Sequence, residues 1–209
     1  MKPTIIINLK TYNQGKKLIN LVKQIEKVDP KIIIAVQPTD IFQVKNTVKN
    51  PIYSQHVDFQ EPGRNTGFIL PEAIKTQGIE GVCLNHSEHR IKLGIIKKTV
   101  ARCKKLNLKT AIFAKDLTQA LEIKKLKPDF LIIEPPELVA GKISVSKAKP
   151  ELIKNISKKL KYDFIVGAGI KTNEDLKIAT KLGAKGIAIS SAITTSKTPG
   201  KVLRELIKN

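Results

Sequence analysis

A chain of 209 residues, 41% of them hydrophobic, is long enough to bury a sizeable core in one domain and too apolar to stay disordered. Two cysteines exclude a disulfide framework and fit a cytoplasmic setting, and no apolar run approaches the ~20 residues of a membrane span. The net charge is +20, yet the lysines are scattered and aromatics are scarce at 4%, so an anionic small substrate is expected rather than a nucleic acid.

In chain order, short β-branched runs alternate with segments of helical period. Thr4–Leu9 reads as a buried strand, followed by Lys16–Val28, whose Leu18, Leu21, Val22 and Ile25 share one stripe. Lys31–Val36 is the second strand, with Ile41–Val48 in the link that follows. Ile52–Val57 is the third, with Pro71–Gln77 after it. Gly81–Leu84 precedes helical Ile91–Leu106, Lys109–Phe113 precedes Asp116–Lys125, and Phe130–Ile133 precedes Lys149–Leu160. Phe164–Val166 precedes Asn173–Leu182, and Gly186–Ile189 precedes Pro199–Ile207, where Pro199 suits a first helical turn. Strands this short and this rich in Ile, Val and Phe belong to a parallel sheet buried on both faces. Eight strand-then-helix units predict a single-domain α/β fold over residues 1–209, a closed (β/α)8 barrel of eight parallel strands with trimmed outer helices.

In such barrels the working residues project from the carboxyl ends of the strands. Here those positions hold Asn8 and Lys10 after strand one, Gln55, His56 and Asp58 after strand three, and Asn85, His86, Ser87 and Glu88 after strand four. Glu134 ends strand six, Gly167-Ala168-Gly169 strand seven, and Ser190-Ser191 strand eight. Taken singly, Lys10 reads as a surface charge, His86 as a rim histidine and the glycines as an ordinary turn. A carboxylate ending a buried strand, as Glu134 does, is costly unless used or paired. Together they put a lysine, a histidine and a glutamate on one rim, beside turns small enough for backbone amides to approach a phosphate. Cys83 and Cys103 read as small apolar fillers, His56 and His89 as structural or surface groups. No metal-ligand spacing is present.

At these residues the chain resembles the triosephosphate isomerase family in its compact archaeal form, from Asn8 to Leu206. Asn8-Leu9-Lys10 is similar to the family's segment after strand one, Gln55-His56-Val57-Asp58 through Thr66-Gly67 to its third loop, and Asn85-His86-Ser87-Glu88 to its histidine motif. Glu134-Pro135-Pro136-Glu137-Leu138 resembles the start of its sixth loop, and Gly167-Ala168-Gly169-Ile170 and Ile189-Ser190-Ser191 its phosphate loops. The resemblance implies a TIM barrel that interconverts D-glyceraldehyde 3-phosphate and dihydroxyacetone phosphate through an enediolate, with no cofactor and no metal. It implies Glu134 as base, His86 as electrophile, Lys10 as electrostatic stabiliser, Asn8 as an orienting residue and Glu88 as a carboxylate beside the histidine. Substrate phosphate would be held around Val139, Ala140, Gly169, Ser190 and Ser191, and a homodimer or homotetramer would form through the loop from Asp58 to Gly67.

The chemistry requires these residue types. Removing a carbon-bound proton needs a carboxylate whose basicity rises when water is excluded. Ser87 and Glu88 are expected to open a helix whose positive end keeps His86 neutral. The sixth loop departs from the family, reading Val139-Ala140-Gly141-Lys142, with Lys142 where a small hinge residue is usual, and Ser191-Ala192 replaces a common Ser-Gly pair. A rival reading is another phosphate-binding TIM-barrel enzyme acting on a three-carbon phosphate, which would share the phosphate loops but have no use for Lys10, His86 and Glu134 together. A Schiff-base aldolase would want a lysine inside the barrel, and Lys115 sits just beyond strand five.

Overall fold

The computed structural model describes residues 2–135 and 144–208. Its strands are β1 (Thr4–Asn8), β2 (Ile33–Val36), β3 (Ile52–Ser54), β4 (Gly81–Leu84), β5 (Lys109–Ala114), β6 (Phe130–Ile133), β7 (Ile165–Val166) and β8 (Gly186–Ile189). They form a closed barrel in sequential order, every neighbouring pair parallel, with β1 joined to β8 through Ile5 opposite Ile187. The expected (β/α)8 barrel is therefore the observed fold.

Side-chain alternation along the strands creates two cores. Ile6, Ala35, Tyr53, Cys83, Phe113, Ile132, Ile165 and Ala188 point inward and fill the barrel. Their neighbours Ile5, Ile7, Ile34, Val82, Leu84, Ile112, Leu131, Ile133 and Ile189 point outward, under the helices. Large and small residues complement one another inside. A Cβ on Gly81 would lie within about 2.7 Å of the Tyr53 ring, so glycine there makes room for the largest inward side chain. Cys83 and Cys103 are both free and buried, as expected of apolar fillers.

The outer layer comprises α1 (Gly15–Val28), α2 (Ile41–Lys45), α3 (Pro71–Lys75), α4 (Leu93–Lys105), α5 (Leu117–Lys124), α6 (Val145–Ala148), α7 (Pro150–Leu160), α8 (Asn173–Lys181), α9 (Ser191–Thr194) and α10 (Pro199–Leu206). In α1 the predicted stripe of Leu18, Leu21, Val22 and Ile25 is the buried face. Local chemistry sets several starts: the Asp116 side chain accepts from the Gln119 N–H to cap α5, Pro199 occupies the first turn of α10, and Thr172 and Asp175 form a reciprocal capping box on α8. Among the described residues no helix is long and apolar enough to cross a membrane.

Most boundaries shift from the sequence reading by one to three residues, and two of the shifts shape the rim. β3 ends at Ser54 rather than Val57, and the Ser54 hydroxyl donates to the His56 carbonyl as the chain turns onto the rim. α4 begins at Leu93 rather than Ile91, because the Ile91 N–H is taken by the Asn85 side chain.

Candidate active site

Beyond β1 the backbone turns through the left-handed region at Lys10, with φ 49°. That conformation is costly for a residue with a Cβ and persists where neighbours enforce it. Asn8 Oδ1 accepts the Lys10 N–H at 3.0 Å, and Gln55 Nε2 donates to the Lys10 carbonyl at 3.0 Å. The Lys10 ammonium, largely withdrawn from solvent, meets Glu88 Oε1 at 2.5 Å. Asn8 thus orients the lysine through its backbone and Glu88 through its charge.

After β4 the chain again turns left-handed, at Asn85 with φ 61°. Asn85 tolerates this because its side chain donates to the Phe113 carbonyl and accepts the Ile91 N–H, at 2.8 and 3.1 Å. Arg90 donates to the Asn85 carbonyl at 2.6 Å, closing the loop. His86 is buried, its ring edge-on to Phe113 at 4.8 Å between centroids. The expected helix at Ser87 and Glu88 is absent. Residues 87–89 form a turn in which the His89 N–H donates to the His86 carbonyl at 2.9 Å.

A single hydrogen bond, rather than a helix terminus, therefore defines the imidazole. The Glu88 backbone N–H donates to His86 Nδ1 at 3.2 Å. A nitrogen that accepts carries no proton, so the ring hydrogen sits on Nε2. His86 Nε2 faces Glu134 Oε2 at 3.2 Å.

Glu134 follows β6 and is buried, with its side chain 7% exposed. Besides His86, Oε2 accepts the Ser87 hydroxyl at 2.9 Å. Gly167, just after β7, leaves room for it, since a Cβ there would lie 3.1 Å from Glu134 Oε1. Burial pushes this carboxyl up, and hydrogen bonds from His86 and Ser87 more than offset that, leaving it below the usual carboxylate range. Exclusion of water acts on this carboxylate in the expected sense, and its two partners hold the anion down in this arrangement.

Lys10, His86 and Glu134 open onto one cleft. Its far wall consists of Ala168, Gly169, Ile170, Lys171, Ser190 and Ser191. Ala168 and Gly169 are both left-handed, with φ 75° and 68°. The Ser190 hydroxyl is buried and has no hydrogen-bond partner among the described residues. The cleft therefore brings an acid/base pair, a cation and a small-residue wall with an unspent hydroxyl to the carboxyl end of a parallel barrel.

The triosephosphate isomerase family profile matches residues 3–208. The chain belongs to the triosephosphate isomerase family. It is 41% identical to the triosephosphate isomerase of Saccharolobus solfataricus, an alignment covering 98% of this chain and 95% of that one. It is 39% identical to that of Methanocaldococcus jannaschii, over 98% of each, and 41% identical to that of Sulfolobus acidocaldarius, over 99% and 94%. The chain is accordingly a triose-phosphate isomerase, EC 5.3.1.1, an enzyme of glycolysis and gluconeogenesis acting on triose phosphates.

Of the residues singled out from the sequence of this isomerase, Asn8, Lys10, His86, Glu134, Gly169, Ser190 and Ser191 line the one cleft, and Glu88 stands beside it on Lys10. Val139, Ala140, Gly141 and Lys142 lie outside the described residues. His56 contacts Asp58 at 3.2 Å and stacks on His89 at 4.3 Å, and burial lowers its pKa, consistent with a structural role. The sequence reading placed Ser87 and Gln55 on the rim without the roles they have here, Ser87 on the glutamate and Gln55 on Lys10, and it missed Lys171. Lys171 is an exposed cation in the cleft wall, with no carboxylate at ion-pair distance among the described residues. Its place two residues after Gly169 in the phosphate-loop segment was the available signal.

Proposed function

We propose that Glu134, His86 and Lys10 carry the isomerisation in the following roles. Glu134 takes the proton from C1 of dihydroxyacetone phosphate and returns it to C2, leaving its hydrogen bonds to Ser87 and His86 as substrate enters. The proton lost from O1 must end on O2, and His86 Nε2–H is the donor that serves both oxygens while charge moves between them. Lys10, held by Asn8, Gln55 and Glu88, stabilises the negative enediolate oxygen. The observation that carries this reading is the Glu88 N–H on His86 Nδ1, because it leaves the remaining ring nitrogen as a neutral donor.

The phosphate is assigned to the wall of Gly169, Ser190 and Ser191, where left-handed turns and small side chains let backbone N–H groups approach an anion and the free Ser190 hydroxyl adds a donor. Val139 and Ala140 complete this set by resemblance to the family. A homodimer or homotetramer, docked through the loop from Asp58 to Gly67, belongs to the same reading, supported by half-exposed Tyr12 and Phe68. A cytoplasmic setting is supported by the two free cysteines.

The test is a coupled assay of D-glyceraldehyde 3-phosphate isomerisation on wild type and Glu134→Gln. The variant should lose about three orders of magnitude or more in kcat, the scale of a general base, with its fold retained by circular dichroism. A variant within tenfold of wild type would remove Glu134 from the role of base.

A further inference from the structure

Three buried polar groups lie behind the phosphate wall: Ser144, Ser146 and Asp175, exposed by 2%, 1% and 4%. Asp175 Oδ2 accepts the backbone N–H groups of Lys171 and Thr172, each at 3.0 Å. Its Oδ1 accepts the Ser144 hydroxyl at 2.9 Å and lies 3.3 Å from the Lys147 ammonium. Ser146 donates from its hydroxyl to the Asp175 carbonyl at 3.3 Å. Lys147 also pairs with Glu174 at 2.6 Å.

A helix cap does not need all of this. The capping box on α8 requires only the reciprocal bonds between Thr172 and Asp175, and caps do their work at exposed helix ends. Burying the carboxylate is costly unless every lone pair is used. Here the surplus contacts run outside the helix, to the N–H of Lys171 in the cleft wall and to Ser144 and Lys147 at the start of α6. One carboxylate thus joins the backbone that leaves Gly169 to the segment that opens α6.

We infer that Asp175 is a positioning residue for the substrate phosphate, fixing the 169–172 segment against the chain that follows the catalytic glutamate, with Ser144 as the link. The inference rests on the isomerase reading of the cleft. It assigns the network an effect on the phosphate end of the substrate and none on the carbon chain.

The primary variant is Ser144→Ala, which removes the hydroxyl on Asp175 Oδ1 while leaving the Ser146 and Lys147 contacts and the α8 cap in place; Ser144→Thr restores a hydroxyl, and Asp175→Asn tests the carboxylate. The readouts are KM and kcat for D-glyceraldehyde 3-phosphate, kcat/KM for phosphate-free D-glyceraldehyde, and the Kd of inorganic phosphate by calorimetry. Ser144→Ala should raise KM and the phosphate Kd together by about tenfold, the scale of a hydrogen bond to a charged group. Its kcat should stay within about twofold, D-glyceraldehyde turnover should not change, and Ser144→Thr should recover most of the loss. Equal loss on both substrates, or a lowered Tm with unchanged phosphate Kd, would overturn the inference. Were wild type itself inactive, the reading of the cleft would fall, while the phosphate Kd of Ser144→Ala would still decide the positioning role.

Discussion

The two ends of the barrel use the same materials differently. At the carboxyl rim, Lys10, Asn85 and Ala168 are left-handed immediately after strands β1, β4 and β7. At the opposite end, the left-handed residues with side chains are Asn107, Lys127 and Lys161, just after helices α4, α5 and α7. The second usage is an ordinary way to end a helix. The first costs about 1–3 kcal/mol at each position and tends to collect where geometry serves chemistry.

Carboxylates show the same division. At the amino end, Glu80 accepts the Ile52 N–H at 2.7 Å and meets Lys45 at 2.5 Å. Asp129 accepts the Thr110 N–H at 2.8 Å, and Asp29 holds the Lys31 N–H and Lys2. Glu80 and Asp129 each hold a backbone N–H at or near the start of the neighbouring strand, and Asp29 closes the turn that leads into β2. At the rim, Glu134 spends its hydrogen bonds on His86 and Ser87, two side chains it can exchange for substrate. Volume does not mark the site: the amino end holds a larger hollow than the rim cleft. The state of the polar groups marks it.

Substitutions at the two ends should therefore separate rate from stability. The largest effect is expected from His86→Gln, whose amide can still donate a hydrogen bond but cannot give and take back a proton, and which should lower kcat by about two to three orders of magnitude, with little change in urea midpoint. A loss of stability matching the loss of rate would break the contrast between the ends. Alkaline pH probes the barrel interior and the helix layer instead. Burial pushes the Cys83 and Cys103 thiols up to about 12, so they take up protons on folding above their ordinary range. Their contribution is complete below about pH 9 and is lost as pH rises toward 12, on the order of several kcal/mol. Denaturant melts at pH 8 and pH 11 check the sign, and Cys83→Ala should flatten the slope.

At the amino end, Glu80→Ala should lower stability by about 1–2 kcal/mol, the scale of a charge-assisted bond to a backbone N–H, and leave kcat and KM unchanged. A change in KM would show that the two ends are coupled. The smallest effect is expected at Lys171→Gln, a solvated cation in the cleft wall: KM should rise about threefold at low salt, and the difference should fade as ionic strength increases. An unchanged KM at low salt would remove Lys171 from substrate attraction.

Much of this contrast could be read from the chain. The strands were legible because runs such as Phe130-Leu131-Ile132-Ile133 are buried on both faces, and Glu134 stood out as a carboxylate ending one. The setting of His86 was not. Ser87-Glu88 carries the composition of a helix start, but Asn85, by turning left-handed and spending its side chain on Ile91 N–H, delays α4 to Leu93. That outcome depends on a carbonyl of β5 accepting the other end of the asparagine, a tertiary contact without a local pattern. The Thr172-x-x-Asp175 box is legible as a spacing, whereas its partner Ser144 lies a full helix-and-strand unit earlier. The resting state of Glu134 depends on a hydroxyl brought from another strand, so composition suggests burial but not the bonds that offset it.

The seam between β1 and β8 has a consequence for synthesis. Ile5 pairs with Ile187, so β1 remains without one of its two partners until the chain has been made through β8, about 180 residues later. Lys10, His86 and Glu134 all emerge well before Ser190, and a nascent chain therefore holds the acid/base groups without a closed barrel to align them. The same late strand that leads into the last wall of the cleft also locks the cylinder, so assembly and competence arrive together once β8 has been made.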